Sequence, residues 1–471
     1  MAANKAKPRA FTRRSILKGL GSTMALPMLA AARPLPPSAL KTNLNLPEPL
    51  VEALRQAFAE FNARATARER QVVWQTLQTA HTRLQAALKA ARLERSPVTG
   101  QLVYRTPLPV VYEEMALVYS ALTGTRLELG PAQGRSQVVN PNGVIMGPGK
   151  YQTLDPGWVT AATTWMQYFH DKVSWPTTAV PRITIPNNTR IAVVGDWGTG
   201  FWRDASNPAP AERVAQAMKM ANPDYSIHLG DVYYSGLPQD NLTHFAPSEG
   251  PNFISVWPPA RLGNFALNSN HDMYPGGVGY FDEALTDELF ALQKGSSCFW
   301  LENDHWIILG LDSAFFSSAL ALYGDGSLDT STQLPMLEEA ARSGKRVMLL
   351  SHHNGLSEDG TGKLSMWFQV QTAVAGAQTW WYWGHVHAGA VYQTQQGIRP
   401  RCSGHGGIPW GEASALAASD QVLWFETENA QDPDISVRVM AGYTMLTLNG
   451  AAITEEFVDE NGAVKWALTT P

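Results

Sequence analysis

The sequence predicts an α/β domain that follows a mostly helical region, and three observations support this fold class. After Pro186 the chain consists of short apolar runs that each end in Gly, Asp, Asn or His, and each run predicts a buried strand that continues into a loop. Helical patterns such as AERVAQAMKMA and LPMLEEAARSG lie between several of these runs, an alternation typical of an α/β sheet. Before Pro186, apolar residues recur at helical spacing instead.

The region of residues 33–185 is expected to be mostly helical, and its sequence indicates no chemistry. Apolar residues from Glu48 to about Leu93 recur at steps of three and four residues. The segment VTAATTWMQYFHDKV, residues 159–173, predicts one more helix. These helices are most simply packed on each other or on the domain that follows. A substrate cap, a dimer surface or a module that docks a partner is the alternative.

Composition narrows the class of protein. The chain has 471 residues, of which 44% are hydrophobic and 16% charged, and these values are typical of a globular protein with a sizeable core. The formal net charge of -5 gives no surface suited to nucleic acid. Only two cysteines occur, Cys298 and Cys402, so a disulfide-dense scaffold and a four-thiolate zinc site are excluded. They form one bridge or are two buried thiols, and the sequence leaves both open.

The first 32 residues resemble a twin-arginine export signal. The stretch TRRSILK, residues 12–18, places two arginines ahead of a modestly apolar segment that ends in small residues at Ala30, Ala31 and Ala32. We therefore expect a bacterial protein that is exported, to the periplasm or beyond, after cleavage of residues 1–32. No later segment is long and apolar enough to span a bilayer.

Metal-binding side chains collect where the predicted strands end. The carboxyl ends of neighbouring strands in an α/β sheet meet in one crevice. Unpaired carboxylates and imidazoles gathered there are costly to bury unless a cation organises them. The residues concerned are Asp196, Asp231, Tyr234, Asn270, His271, His352, His353, His385 and His387.

In chain order, these residues form a series of motifs: Gly-Asp-x-Gly (195–198), Gly-Asp-x-x-Tyr (230–234), Asn-His-Asp (270–272), His-His (352–353) and Gly-His-x-His (384–387). The series resembles the calcineurin-like metallophosphoesterases, and within them the purple acid phosphatases. The resemblance extends over residues from about 187 to 430 and implies an α-β-β-α sandwich. The resemblance to the purple acid phosphatase branch rests on Gly198, where most of the superfamily has histidine, together with Tyr234, where purple acid phosphatases have a tyrosine ligand.

Taken together, the export signal, the helical pattern and the resemblance divide the chain into four expected parts. These are a signal peptide (1–32), the N-terminal region (33–185), a metallophosphoesterase catalytic domain (186–430) and a C-terminal β-rich extension (431–471).

The resemblance also implies two metal ions, Fe(III) and a divalent partner that is Fe, Zn or Mn. The implied ligands of the ferric ion are Asp196, Tyr234 and His387. Those of the divalent ion are Asn270, His352 and His385, and Asp231 is the implied bridging carboxylate. A hard trivalent iron favours an anionic phenolate over a neutral imidazole, which is consistent with the exchange of histidine for tyrosine. In the alternative, Tyr234 only packs in the core and the site holds other metals.

Four further residues are candidates for catalysis or substrate contact. His271 is expected to supply the proton to the leaving group, and Asp272 to orient its ring. His353 and His405 are weaker candidates for contact with the substrate. His228, inside an apolar run, is expected to be structural.

The predicted function is therefore an exported binuclear-metal phosphatase, similar to acid phosphatases, that hydrolyses phosphomonoesters by attack of a metal-activated hydroxide. A phosphodiesterase or nucleotidase of the same fold is the alternative within this class. A non-catalytic metal- or phosphate-binding protein is the alternative from a different class.

Overall fold

The computed structural model describes residues 46–90, 93–95, 102–104, 113–125, 127, 138–147, 149–198, 200–232, 234–237 and 253–471. The predicted signal peptide of residues 1–32 lies outside these residues. Leu40–Pro471 forms one compact unit.

The described residues form ten α-helices, with four shorter turns of 3₁₀- or π-helix at Gly279–Glu283, Ala284–Thr286, Glu288–Gln293 and Ala319–Ala321. The α-helices are α1 (Glu48–Arg64), α2 (Ala67–Ala90), α3 (Glu113–Thr123), α4 (Gly157–Gln167), α5 (Pro210–Ala221), α6 (Phe253–Val256), α7 (Asn270–Met273), α8 (Gln333–Arg342), α9 (Ser365–Ala373) and α10 (Ser414–Ala417).

The same residues form eighteen strands. They are β1 (Leu93–Arg95), β2 (Leu102–Tyr104), β3 (Val138–Val139), β4 (Ile145–Met146), β5 (Arg182–Thr184), β6 (Asn188–Val194), β7 (Tyr225–His228), β8 (Gly263–Ala266), β9 (Phe299–Glu302), β10 (Trp306–Leu311), β11 (Arg346–Ser351), β12 (Thr379–Trp383), β13 (Gly389–Tyr392), β14 (Ile398–Ser403), β15 (Val422–Phe425), β16 (Gly442–Asn449), β17 (Ala452–Asp459) and β18 (Val464–Thr470).

Two large sheets carry the α/β part of the chain. One has the order β18-β17-β16-β6-β7-β8, and the other the order β15-β13-β14-β12-β11-β10-β9-β5. Strands β6, β7 and β8 are parallel, as are β10, β11, β12 and β14. A smaller sheet of β1 to β4 belongs to the N-terminal region.

The two large sheets pack face to face, and helices cover their outer faces. Alternate residues of β12 show this: Trp380 and Tyr382 belong to the cluster between the sheets, whereas Trp381 and Trp383 pack with α8 and α9. On the other side, Val194 of β6 shares a core with α5 and with the N-terminal helices. Because side chains of a strand alternate between faces, both faces of each sheet are buried. The predicted α-β-β-α sandwich with a preceding helical region is confirmed.

The helical pattern predicted from Glu48 to about Leu93 corresponds to two helices, α1 and α2. Thr66, between α1 and α2, forms a capping box in which its backbone N–H donates to Glu69 Oε2 at 2.7 Å and its hydroxyl accepts from the Glu69 N–H at 3.2 Å. The helix predicted over residues 159–173 is α4, which ends at Gln167.

The last three strands are part of the same sheet as the first strand of the α/β domain. Strand β16 pairs with β6 in antiparallel register over six residue pairs, and β17 and β18 follow as hairpins. Cys298 and Cys402 are both buried and free, so the bridge between them is absent. Among the described helices, none is both long and apolar enough to cross a membrane.

Candidate metal centre

The loops that follow five strands bring the predicted ligands together at one edge of the sandwich. Asp196 follows β6, Asp231 follows β7, and Asn270 begins the short helix after β8. His352 follows β11, and His385 with His387 follows β12. Because β6, β7 and β8 are parallel neighbours, and β11 and β12 are too, their carboxyl ends lie side by side.

Two groups of side chains are suited to hold a metal. In each group, the possible ligand atoms lie within 4.8 Å of one another. The first group is His352, His353 and His385, and the second is Asp196, Asp231 and His387.

Direct contacts join the two groups. His352 Nε2 lies 3.3 Å from Asp231 Oδ2 and 3.2 Å from His385 Nδ1. The backbone N–H of His385 donates to Asp196 Oδ2 at 2.8 Å. His387 Nε2 lies 3.4 Å from Asp196 Oδ1. The two groups therefore form one centre.

The atoms that surround the His352 ring indicate that this centre fits a cation. His352 Nδ1 lies 3.0 Å from the carbonyl oxygen of Leu229, which only accepts, so Nδ1 is the ring atom that carries the proton. In the singly protonated ring, Nε2 is then a lone pair. It faces Asn270 Oδ1 at 2.8 Å and Asp231 Oδ2 at 3.3 Å, and these atoms are also acceptors. A cation there would relieve this repulsion, and His352, Asn270 and Asp231 are the residues that would hold it.

Buried carboxylates give a second indication. Asp196 is 0% exposed and Asp231 is 2% exposed. Within the described part of the chain, Asp196 Oδ1 and Asp231 Oδ1 have no hydrogen-bond partner. Buried carboxylate oxygens are costly unless they are paired or coordinate a metal.

The electrostatics of the centre keep His385 and His387 neutral. Burial, together with the neighbouring His352, lowers the pKa of His385 to about 3. Burial likewise lowers the pKa of His387 to about 4. Burial and the charge of Asp231 raise the pKa of Asp196 well above its usual range. Burial alone would raise the pKa of Asp231, but His271 and His352 outweigh it, and that pKa lies well below its usual range. Neutral histidines are the form that binds metals.

Backbone strain concentrates at the same residues. Asp196, Asp231, His385 and His387 have φ values of 55°, 64°, 67° and 57°. Residues other than glycine rarely adopt this left-handed region of φ. Such backbone strain is common at functional sites, where the surrounding structure keeps the residue in the strained conformation. Each of these residues lies just beyond a strand, where the turn directs its side chain toward the centre.

Tyr234 does not direct its hydroxyl to a metal group in this structure. The hydroxyl donates to Asp155 and accepts from the backbone N–H of Tyr151 at 3.2 Å. The ring is 2% exposed and packs between Tyr151 and Trp158. Burial and the charge of Asp155 raise the pKa of Tyr234 well above its usual value. Its role as a ferric ligand stays a prediction that requires the hydroxyl to leave Asp155.

His271 lies at the centre, but Asp272 does not orient its ring as expected. His271 Nδ1 donates to the backbone carbonyl of Tyr234 at 2.7 Å, and His271 Nε2 lies 3.7 Å from Asp231 Oδ2. Asp272 Oδ2 instead accepts from the Ser269 N–H at 3.1 Å and from its hydroxyl at 2.6 Å, in a capping box. The prediction that Asp272 hydrogen-bonds to His271 is therefore wrong, because the Asp272 carboxylate forms the N-terminal capping box of the short helix α7.

The three remaining histidines differ in position. His353 lies in the first group, with Nδ1 2.8 Å from the Ser313 hydroxyl. The ring of His405 packs against Phe457 and is 4% exposed, so the expected substrate contact has no support. His228 is 1% exposed, and its Nδ1 accepts from the N–H of Gly230 at 3.1 Å, which agrees with a structural role.

Several residues that line the centre carry no signal in the sequence. Asp155, Gly157 and Trp158 belong to the N-terminal region, yet they contact Tyr234. Ser313 follows β10 and holds His353. No motif identifies these residues. They contact other site residues and are not among the predicted metal ligands, and none of them follows a strand that carries a predicted ligand.

Comparison with known proteins agrees with this geometry. Residues 189–389 match the family model described as Calcineurin-like phosphoesterase. The matched stretch contains every predicted metal ligand. No curated protein matches the chain by sequence.

Solved structures resemble this one distantly. A dimetal phosphatase from Danio rerio has 11% identity and a TM-score of 0.37, over 60% of this chain and 98% of that one. The structure of PhoD has 11% identity and a TM-score of 0.38, over 63% of this chain and 70% of that one. A 5′-nucleotidase precursor from Thermus thermophilus has 11% identity and a TM-score of 0.27, over 60% of this chain and 54% of that one. At these values the likenesses say nothing about substrate.

Proposed function

We propose that this chain is a two-metal phosphoesterase that hydrolyses phosphomonoesters. The observation that carries the proposal is the convergence of acceptors on His352 Nε2 at the carboxyl edge of a calcineurin-like phosphoesterase domain. Lone pairs that face one another in a buried crevice fit cations, and a phosphate ester is the substrate class of this family.

The proposed ligands of the first ion are Asp196, Tyr234 and His387, and those of the second are Asn270, His352 and His385. Asp231 is the proposed bridge, since its Oδ2 lies near His352 and its carboxylate belongs to the second group. Two such ions supply Lewis acidity toward the phosphoryl oxygens and lower the pKa of a water molecule.

His271 is the proposed proton donor to the leaving group. Its Nδ1 proton is held by the Tyr234 carbonyl, so Nε2 is the atom available to carry a second proton to the substrate. The side chain is 12% exposed, whereas the His352 side chain is 0% exposed. Of these two rings, His271 is the one that a substrate reaches from the solvent side.

The finer proposal is a ferric ion paired with divalent iron, zinc or manganese, as in the purple acid phosphatases. The position of Tyr234 three residues after Asp231 supports it, and the hydrogen bond of Tyr234 to Asp155 competes with it. Metal analysis with a visible absorption spectrum tests it. Iron with a broad visible band that disappears in Tyr234→Phe supports the ferric site. Two colourless divalent ions overturn it and keep the hydrolase.

The activity test uses the purified chain reconstituted with Fe²⁺, Zn²⁺ or Mn²⁺. We expect p-nitrophenyl phosphate to be hydrolysed faster than bis(p-nitrophenyl) phosphate or adenosine monophosphate. Preference for the diester or the nucleotide would replace the phosphomonoesterase with the alternatives of the same fold. Metal uptake without hydrolysis of any of the three would favour the non-catalytic binding protein.

We also propose export through the twin-arginine signal, because Arg13 and Arg14 precede a short apolar segment. Expression in a bacterium with a twin-arginine pathway, followed by fractionation, tests this proposal. Periplasmic protein that begins after residue 32 is expected, and Arg13→Lys with Arg14→Lys should retain the chain in the cytoplasm. Equal export of this double variant would overturn the proposal.

A further inference from the structure

We propose that Asp155, Gly157 and Trp158 of the N-terminal region are positioning residues of the metal centre, which fix Tyr234 and through it His271. The inference deepens the proposed function and rests on it for the role of His271, and it takes Tyr234 as the structure places it, bound to Asp155. It gives the N-terminal region a part in the reaction.

Asp155 holds the Tyr234 hydroxyl from outside the α/β domain. Asp155 is 8% exposed, and its Oδ2 accepts from the Tyr151 N–H at 2.6 Å as well as from the Tyr234 hydroxyl. Its Oδ1 accepts from the Gly157 N–H at 2.9 Å. The backbone N–H groups orient the carboxylate, and the carboxylate fixes the phenol. A buried carboxylate with several donors is a rigid anchor.

Gly157 leaves the room that the Tyr234 ring occupies. A Cβ at residue 157 would lie 2.3 Å from Cζ of Tyr234, well inside van der Waals contact. Gly157 begins α4, and its φ lies outside the left-handed region, so alanine suits its backbone. Glycine is a poorer helix former than alanine. The ring of Tyr234, and not the backbone, is therefore what requires glycine here.

Trp158 contacts both Tyr234 and His271. Its ring lies edge-on to Tyr234 with centroids 4.9 Å apart, and 5.6 Å from the ring of His271. The indole N–H donates to the carbonyl of Gln152 at 2.7 Å, which fixes the orientation of the ring. The Trp158 ring thus stabilises the face of the crevice that carries His271.

Tyr234 transmits this anchoring to His271. The Tyr234 carbonyl accepts the Nδ1 proton of His271 at 2.7 Å, so a shift of Tyr234 moves the ring that we propose as proton donor. Trp158, Tyr234 and Val194 share one buried cluster with the N-terminal helices. The N-terminal region is therefore continuous with the centre, which a separate docking module would not require.

The test is a double-mutant cycle on the full chain. Gly157→Ala should lower kcat for p-nitrophenyl phosphate about tenfold to a hundredfold, since displacement by an ångström is costly in a catalytic site. The KM should change much less. In a Tyr234→Ala background, which removes the ring, Gly157→Ala should have less than about a twofold further effect, because the two residues act as a pair. Asp155→Asn should likewise add little to Tyr234→Phe.

The matched control is Gly362→Ala. Residue 362 lies in a loop with φ outside the left-handed region, and its Cβ would meet only the Ser357 side chain, with the nearest atom at 3.0 Å. This variant should keep wild-type kcat. A change in kcat of less than twofold for Gly157→Ala overturns the inference. An equal loss in the Tyr234→Ala background also overturns it.

A second readout separates this inference from the proposed function. Histidine-selective ¹⁵N NMR of the full chain, with the His271 signal assigned by its loss in His271→Ala, reports the ring directly. Gly157→Ala should shift that signal, and Gly362→Ala should not. If the wild type hydrolyses no phosphate ester but the signal shifts, the function fails and the positioning stands. An unchanged signal in Gly157→Ala overturns the positioning whatever the activity.

Discussion

Two clusters of buried charge in this molecule differ in how their charges are balanced. In the cluster near the end of the chain, Arg438 is 1% exposed and donates to Asp432 at 3.0 Å and to Glu460 at 2.5 and 3.0 Å. Arg203 donates to Asp432 at 2.8 Å, and Arg213 lies 3.5 Å from Glu460. Every carboxylate there faces a guanidinium. In the metal centre, Asp196 and Asp231 face histidine rings and each other, and no guanidinium of the described residues.

The difference shows which buried charges a fold supplies with partners and which it leaves for a ligand. In the arginine cluster the protein itself supplies the cations, because the planar guanidinium group of arginine donates two parallel hydrogen bonds to a carboxylate. The centre lacks a cationic partner of this kind among the described side chains that line it, and its imidazoles are lone-pair donors. A cation from solution is what balances it. The following experiments test this comparison, in order of decreasing expected effect.

Asp231→Ala should lower turnover by at least about a thousandfold, since it removes the proposed bridge between both ions. The measurement is kcat for p-nitrophenyl phosphate together with metal content per chain. Asp434→Ala, at an acid whose side chain is 62% exposed, is the control and should keep both. Near-native turnover in Asp231→Ala would refute the two-metal interpretation.

Arg438→Met should lower the free energy of unfolding by about 3–5 kcal/mol, because Asp432 and Glu460 would lose a buried cation. Urea denaturation measures this loss. Arg342→Met is the control, since Arg342 has a side chain 70% exposed and forms only a surface ion pair with Glu338. Metal content should stay unchanged in both variants, and its loss in Arg438→Met would mean that the two clusters are coupled.

Addition of Mn²⁺ to chelator-treated protein should raise Tm by a few degrees. A ligand at a hundred times its Kd stabilises the native state by about 2.7 kcal/mol. Differential scanning calorimetry with and without the ion measures the shift. The shift should persist in Arg438→Met and disappear in Asp231→Ala, and an equal shift in Asp231→Ala would place the ion elsewhere.

The arginine cluster should lose stability in acid. Burial alone would raise the pKa of Asp432, but the hydrogen bond from Arg203 and the charge of Arg438 outweigh it and lower that pKa to about 2. A carboxyl whose pKa is lower in the folded state stabilises the protein above its unfolded pKa of about 4, and this stabilisation is lost as the pH falls toward 2. Unfolding followed from pH 5 to pH 2 should therefore be steeper in the wild type than in Asp432→Asn. Parallel profiles would contradict the prediction.

The sequence predicted the parts of this molecule that local patterns encode. The apolar runs that end in Asp196, Asp231 and His385 identified both the strands and the position of the centre, because a buried strand and the donor that follows it are adjacent in the chain. The contact of Asp155 with Tyr234 was not predictable in this way. The two residues are 79 positions apart, and nothing in the local sequence around either one indicates the other. Asp272 was misassigned because a carboxylate at this position of the sequence can either cap a helix or accept a hydrogen bond from histidine, and the sequence does not distinguish the two.

The place of β6 between β7 and β16 makes the Asp196 turn depend on a strand from much later in the chain. Strand β7 follows β6 closely in the chain, but β16 is supplied by residues 442–449. Until those residues leave the ribosome, β6 has an open edge, and the turn that carries Asp196 rests on a half-paired strand. A chain that lacks residues 442–449 therefore holds the Asp196 turn on a strand that is paired on one side only.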